Sequence, residues 1–132
     1  MKNDIIYKKI SKNFPAAKLK VFYDQTTPGK TSRQCQNIIK YSTIMGAFDK
    51  NKLVGIGRAL DDTIYAFITD VIVHHGYQKR GIGSKIVKSL CNNLIKRNIK
   101  VIHCSTDKNL IKFYKSAADF KYESGDVTLF LK

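Results

Sequence analysis

The sequence predicts a mixed α/β fold in a single domain: a twisted, mostly antiparallel sheet flanked by about four helices. Three observations predict it. Residues 70–73, DVIV, form a short run rich in β-branched residues, broken at Gly76 and followed by apolar residues at helical spacing (Ile82, Ile86, Val87, Leu90, Cys91, Leu94), so strand, loop and helix succeed one another. Upstream, three apolar stretches between residues 41 and 73 are separated by the turn-forming clusters Asp49-Lys50-Asn51-Lys52 and Asp61-Asp62, the pattern of an antiparallel meander. The 132 residues, 43% of them hydrophobic, suit one domain with a real core, and no repeat, low-complexity tract or Pro/Gly/Ser-rich linker interrupts them.

The elements follow in order. Residues 5–10 can form a first short strand. Pro15 is placed for the first turn of a helix reaching about Asp24, with Ala16, Ala17, Leu19 and Lys20 as good helix formers. Thr26, Thr27, Pro28 and Gly29 make a loop, and Thr31 or Ser32 can cap a second helix through Cys35, Ile38 and Ile39. Residues 41–48, 53–60 and 63–73 are expected as three successive antiparallel strands. After the long helix, residues 100–106 alternate as a buried strand, 109–117 suit a short helix, and 127–131 form a final strand whose open edge is a candidate for pairing with a second copy in a homodimer.

Composition narrows the function. The first ten residues, MKNDIIYKKI, lack a signal-peptide core and no later run approaches membrane-spanning length, so a cytoplasmic protein with no membrane partner is expected. Cys35, Cys91 and Cys104 are odd in number and too dispersed for a zinc motif, as for reduced thiols, and no metal is expected. His103 and Cys104, neighbours on one strand, point to opposite faces, which argues against a nucleophile pair. The net charge of +14 favours anionic ligands, yet the lysines are spread along the whole chain and no nucleic-acid motif is legible. Nucleic acid is therefore not expected as a partner.

The chemistry concentrates where strand meets helix. The first helical turn carries unpartnered N–H groups and about half a positive charge, so an anion is a natural ligand. Gly81 and Gly83 permit close approach, and Lys79 and Arg80 add mobile charge. Two familiar phosphate loops fail here. Gly76 and Gly81 have P-loop spacing, but Ile82 and Gly83 stand where Lys and Ser or Thr are needed; the dinucleotide fingerprint would require a small residue at Ile86.

A third pattern fits. Gln78-Lys79-Arg80-Gly81-Ile82-Gly83-Ser84, preceded by Asp70-Val71-Ile72-Val73-His74 and Tyr77, resembles the acyl-CoA loop, Gln/Arg-x-x-Gly-x-Gly/Ala, of the GCN5-related N-acetyltransferase (GNAT) family. Leu53-Val54-Gly55-Ile56-Gly57-Arg58 is similar to the family's "LVGfgR" strand. Phe113-Tyr114-Lys115, followed by Phe120, is similar to its "fYek-GF" segment, although Ala118-Asp119 replaces the usual glycine and Asp107 or Asn109 stands at a shifted offset for the expected asparagine.

The resemblance implies a GNAT-like fold and an N-acetyltransferase that passes an acetyl group from acetyl-CoA directly to a primary amine of a small molecule or protein. It implies that Gln78, Lys79, Arg80, Gly81, Ile82, Gly83 and Ser84 hold the CoA phosphates, that the backbone of Val71, Ile72 and Val73 pairs with the pantetheine arm and thioester oxygen, and that Asn109 and Tyr114 lie close by. The two N-terminal helices would wall the acceptor site. A free alkylamine has a pKa near ~10.4, so a base or a water chain must take its proton. Asp70 is the candidate base; a carboxylate that merely orients the substrate is the alternative. Tyr114 is the candidate acid for the departing thiolate, with a core aromatic as its alternative. Arg58 either holds an acidic acceptor or pairs with Asp61 or Asp62, Tyr23 and Tyr41 are acceptor-site aromatics or packing residues, and His74 and His75 either touch the CoA phosphates or, as expected, sit in solvent. A non-catalytic acyl-CoA sensor or interaction module is the alternative function.

Overall fold

Alternation along the strands sorts the apolar side chains onto two faces of one sheet, and helices cover both. The computed structural model describes residues 4–104 in full and, at 105, 120–123 and 128–131, the strand backbone. Its elements are β1 (Ile5–Lys9), α1 (Ala16–Thr26), α2 (Ser32–Tyr41), β2 (Thr43–Asp49), β3 (Lys52–Asp61), β4 (Tyr65–Val73), a 3₁₀ turn (His75–Tyr77), α3 (Ile82–Lys96), β5 (Val101–Ser105), β6 (Phe120–Glu123) and β7 (Thr128–Leu131). The sheet runs β1-β2-β3-β4-β5-β7-β6. Every neighbouring pair is antiparallel except β4 and β5, which α3 connects as a parallel crossover. Three α-helices lie among the described residues; the helix expected at 109–117 lies outside them.

One core packs α3 through Ile86, Val87, Leu90 and Leu94 against Val54, Ile68 and Ile102. On the other face, Leu19, Phe22 and Tyr23 of α1 and Cys35, Ile38 and Ile39 of α2 pack on Ile44, Phe48 and Ile56. Gly55 and Gly57 let α3 sit close to β3: a Cβ at these positions would lie 2.9 and 2.6 Å from atoms of Ile86. Thr31 caps α2 with a full capping box, its hydroxyl accepting from the Gln34 N–H at 3.1 Å while the Gln34 side chain accepts from the Thr31 N–H at 2.8 Å.

Several expected boundaries move for local reasons. Tyr41 is the last residue of α2 rather than the first of a strand, so β2 begins at Thr43. The third meander strand starts at Tyr65, not residue 63, because Asp62 Oδ1 accepts from the N–H groups of Ile64 and Tyr65 at 2.9 and 2.8 Å and holds a turn there. The last strand is also corrected. β7 pairs with β5 on one side and β6 on the other, so it is no open edge; β6, a strand the sequence reading did not anticipate, takes that position.

Candidate functional site

The site begins where β4 leaves β5. Their parallel register covers Tyr65 to Ile68 and ends there, while β4 itself continues to Val73. Against β3 the register shifts after Arg58, leaving Thr69 as an extra residue, a β-bulge that bends the strand. Beyond the bulge one edge of β4 has no strand beside it among the described residues. Which backbone groups face that edge follows from the ladder. The His74 N–H donates to the Val54 carbonyl at 2.8 Å, so in an antiparallel register Ile72 and Asp70 also direct their N–H and C=O groups to β3. Val71 and Val73 face the open side, and the Val73 carbonyl accepts from Gln78 Nε2 at 3.1 Å. Of the three residues expected to offer backbone groups there, Ile72 is thus turned inward.

The open edge leads into the glycine loop. Gly81 is the N-cap of α3, with φ +78°, the left-handed region that glycine adopts without strain. The first helical bond is donated by the Lys85 N–H to the Gly81 carbonyl at 3.2 Å, so the N–H groups of Ile82, Gly83 and Ser84 precede it and no side chain caps them. A Cβ at Gly81 would meet nothing within 4 Å, so the space above the helix start is open. Lys79, Arg80 and Gln78 are exposed around it, and the Arg80 guanidinium lies 5.1 Å from the Tyr77 ring. These donors and cations fit a phosphate-bearing ligand.

On the α1–α2 face, Asp70 gathers a polar cluster. Its Oδ2 accepts from Arg58 Nε at 2.7 Å and from the Tyr23 hydroxyl at 2.8 Å, and Arg58 Nη1 donates to Ser42 Oγ at 3.2 Å. Arg58 therefore does not pair with Asp61 or Asp62 as one reading expected; Asp61 binds Arg97 instead, at 3.0 Å. Tyr23 is fully buried, and burial first, then the charge of Asp70, raises its phenol well above the ordinary range. Tyr41 is exposed and does not join this cluster.

His74 and His75 stack on each other at 4.5 Å, and His74 Nδ1 accepts from the Gly76 N–H at 3.2 Å. Burial, with Lys52 and His75 nearby, lowers the His74 pKa. On the Asp70 face Phe67, which the sequence did not single out, stacks in parallel at 6.0 Å on His103, weighed there only as a neighbour of Cys104, with Tyr65 beside them. The signal was present in β4, where exposed Tyr65 and Phe67 alternate with buried Ala66 and Ile68. Asn109 and Tyr114 lie outside the described residues.

Residues 5–120 match the acetyltransferase (GNAT) family. The chain belongs to the GNAT family. A histone acetyltransferase of Glycine max is 33% identical over 69 residues, 52% of this chain and 30% of that protein. An uncharacterized N-acetyltransferase of Porphyra purpurea is 30% identical over 89 residues, 64% of this chain and 51% of its own length. This GNAT chain thus spans under a third of the first relative and about half of the second. Among solved structures, the PaiA N-acetyltransferase of Thermoplasma acidophilum in complex with coenzyme A matches with a TM-score of 0.79 at 15% identity, over 98% of this chain and 99% of that one. A GNAT acetyltransferase of Elizabethkingia anophelis with acetyl-CoA bound matches with a TM-score of 0.76 at 15% identity, over 99% of each. At such identities the likeness is one of fold.

Among the described residues no helix is long and apolar enough to cross a membrane, and no group of three or more His, Cys, Asp or Glu is placed to hold a metal ion.

Proposed function

We propose that this chain acts as a cytoplasmic, single-domain N-acetyltransferase that transfers an acetyl group from acetyl-CoA directly to a primary amine. One observation carries the reading: the unpaired edge of β4 is joined through the short 74–81 loop to the unpartnered first turn of α3, so a strand edge for an amide-bearing arm and an anion site for its phosphates follow one another along the chain. Acetyl-CoA has that shape and supplies the acetyl thioester.

The chain's own groups take the following roles. The N–H groups of Ile82, Gly83 and Ser84, with the side chains of Gln78, Lys79 and Arg80, bind phosphates. The outward N–H groups of Val71 and Val73 bind the arm and donate to oxygen where negative charge develops. Asp70 holds the acceptor amine in place. Both donors to its carboxylate converge on Oδ2, which favours this orienting role over proton abstraction and assigns deprotonation to water. Phe67 and His103 floor the acceptor side. Tyr114, by its match to the family motif, returns a proton to the thiolate.

The test is a thiol-release assay with acetyl-CoA and a panel of primary amines, read alongside the mass of the product. Amine-dependent thiol release with a 42-dalton gain on the amine, the mass of an added acetyl less a proton by ordinary chemistry, is expected. Binding of acetyl-CoA with no transfer to any amine would contradict the catalytic reading.

A further inference from the structure

We propose that the groove between α1 and the β2–β3 turn is a second ligand site, built for a phosphoester that carries an aromatic group and separate from the helix start of α3. Two adjoining cavities of about 350 and 320 Å³ share Phe14, Lys18 and Asn51 as walls. Each is the size of a small-ligand pocket. The first adds Phe22 and Lys52, and the second adds Lys8, Lys50 and Phe48. Lysines surround the groove and no carboxylate lines either part. The nearest acid in sequence, Asp49, sends its carboxylate to the Tyr77 hydroxyl at 2.5 Å. Strand alternation puts it on the face opposite Phe48.

The groove has aromatic walls as well as charge. Phe14 and Phe48 meet edge to face at 6.2 Å, and Lys8 Nζ stands 4.8 Å above the Phe48 ring. A planar group can extend that aromatic contact while the lysines neutralise a dianion. The turn itself supplies an independent observation. Asp49 pairs with Lys52, so Lys50 and Asn51 form a two-residue hairpin loop, and Lys50 alone of the two has positive φ, at +56°. Glycine fills that first position without strain. A lysine held there keeps its charge at the rim of the groove against the backbone's preference.

This site does not rest on the acetyltransferase reading. The groove belongs to the α1–α2 face, whereas α3 packs on the opposite one; of its lysines, Lys52 also reaches the Tyr77 ring beside the glycine loop, at 5.7 Å. The experiment is isothermal titration of phenyl phosphate into the full chain, with and without saturating coenzyme A, using inorganic phosphate and benzylamine as comparison probes. One-site binding that coenzyme A leaves unchanged is expected, with inorganic phosphate at least tenfold weaker and benzylamine silent. Lys18→Glu, an exposed position, weakens binding about tenfold or more. Lys50→Gly raises Tm by a few degrees yet weakens binding several-fold. No saturable heat, loss of the heat when coenzyme A is present, equal binding by Lys18→Glu, or inorganic phosphate binding as tightly as phenyl phosphate would each overturn the proposal.

Discussion

Asp70 sits between two donors, and the division of labour at that carboxylate decides how the site works. With Tyr23 and Arg58 both on Oδ2, replacing Asp70 by Asn keeps the shape and removes the charge that would hold an ammonium or amine. A charge-assisted hydrogen bond contributes about 1.5–3 kcal/mol, so the acceptor KM of Asp70→Asn is expected to rise roughly tenfold or more with the shape of the pH–rate profile kept. A fall of kcat by about a hundredfold with loss of one limb of that profile would instead make Asp70 the base. Tyr23 gives a prediction about stability. Its folded pKa is raised, so its contribution is complete below the unfolded value near ~10 and is lost as the pH climbs past it. Tyr23→Phe is therefore expected to flatten the fall of Tm between about pH 9.5 and 11, and an unchanged slope would contradict the assignment. Asp70 was legible as a strand residue beside the glycine loop. Its partners were not, because Arg58 reaches it across a strand pair and Tyr23 from a helix 47 positions away, and sequence spacing carries neither contact.

At the scale of elements, the packing of α3 on β3 sets where the helix start, and with it the proposed anion site, stands. A methyl group at Gly57 would lie 2.6 Å from Ile86 Cγ2, a branch close to the backbone that has little freedom to move. Gly57→Ala is expected to cost about 1–3 kcal/mol and to weaken acetyl-CoA binding by displacing α3, measured by denaturant unfolding and titration of the same variant. Full stability would show that the helix shifts without cost. Burial of the Cys91 thiol against the same core pushes its pKa up to about 12. Native protein should therefore leave Cys91 unmodified by a thiol reagent at pH 8, and rapid labelling would mean that α3 opens readily. The helices were legible from local signals: good helix formers after Pro15, which stands at the N-cap of α1, a cap at Thr31 for α2 and an apolar stripe on α3. β6 was not, since its four residues, FKYE, alternate too briefly to announce a strand. The place of β7 between β5 and β6 depends on long-range pairing that no local pattern records.

At the scale of the whole molecule, the described residues form a sheet that parts between β4 and β5, and the chain leaves the unpaired end of β4 for the N-terminus of α3. The glycine motif made the succession of strand, loop and amphipathic helix legible, but the parting of β4 from β5 depends on pairing across the sheet that no local pattern records. The Tyr114 assignment rests on the motif alone. Tyr114→Phe is expected to lower kcat by roughly ten- to a hundredfold while acetyl-CoA affinity stays within about twofold, and equal loss of both would make the tyrosine a packing residue. The net charge of +14 predicts that affinity for a polyanionic donor falls with salt, and binding that is indifferent to ionic strength would count against a phosphate site. The most direct measurement of the central claim is isothermal titration of acetyl-CoA into the native chain and into Gly81→Glu, whose carboxylate enters the open space above the helix start at a backbone angle glycine alone tolerates well. Micromolar binding by the native protein that the variant loses is the predicted result. Absence of binding by the native protein, or equal binding by both, would contradict the account.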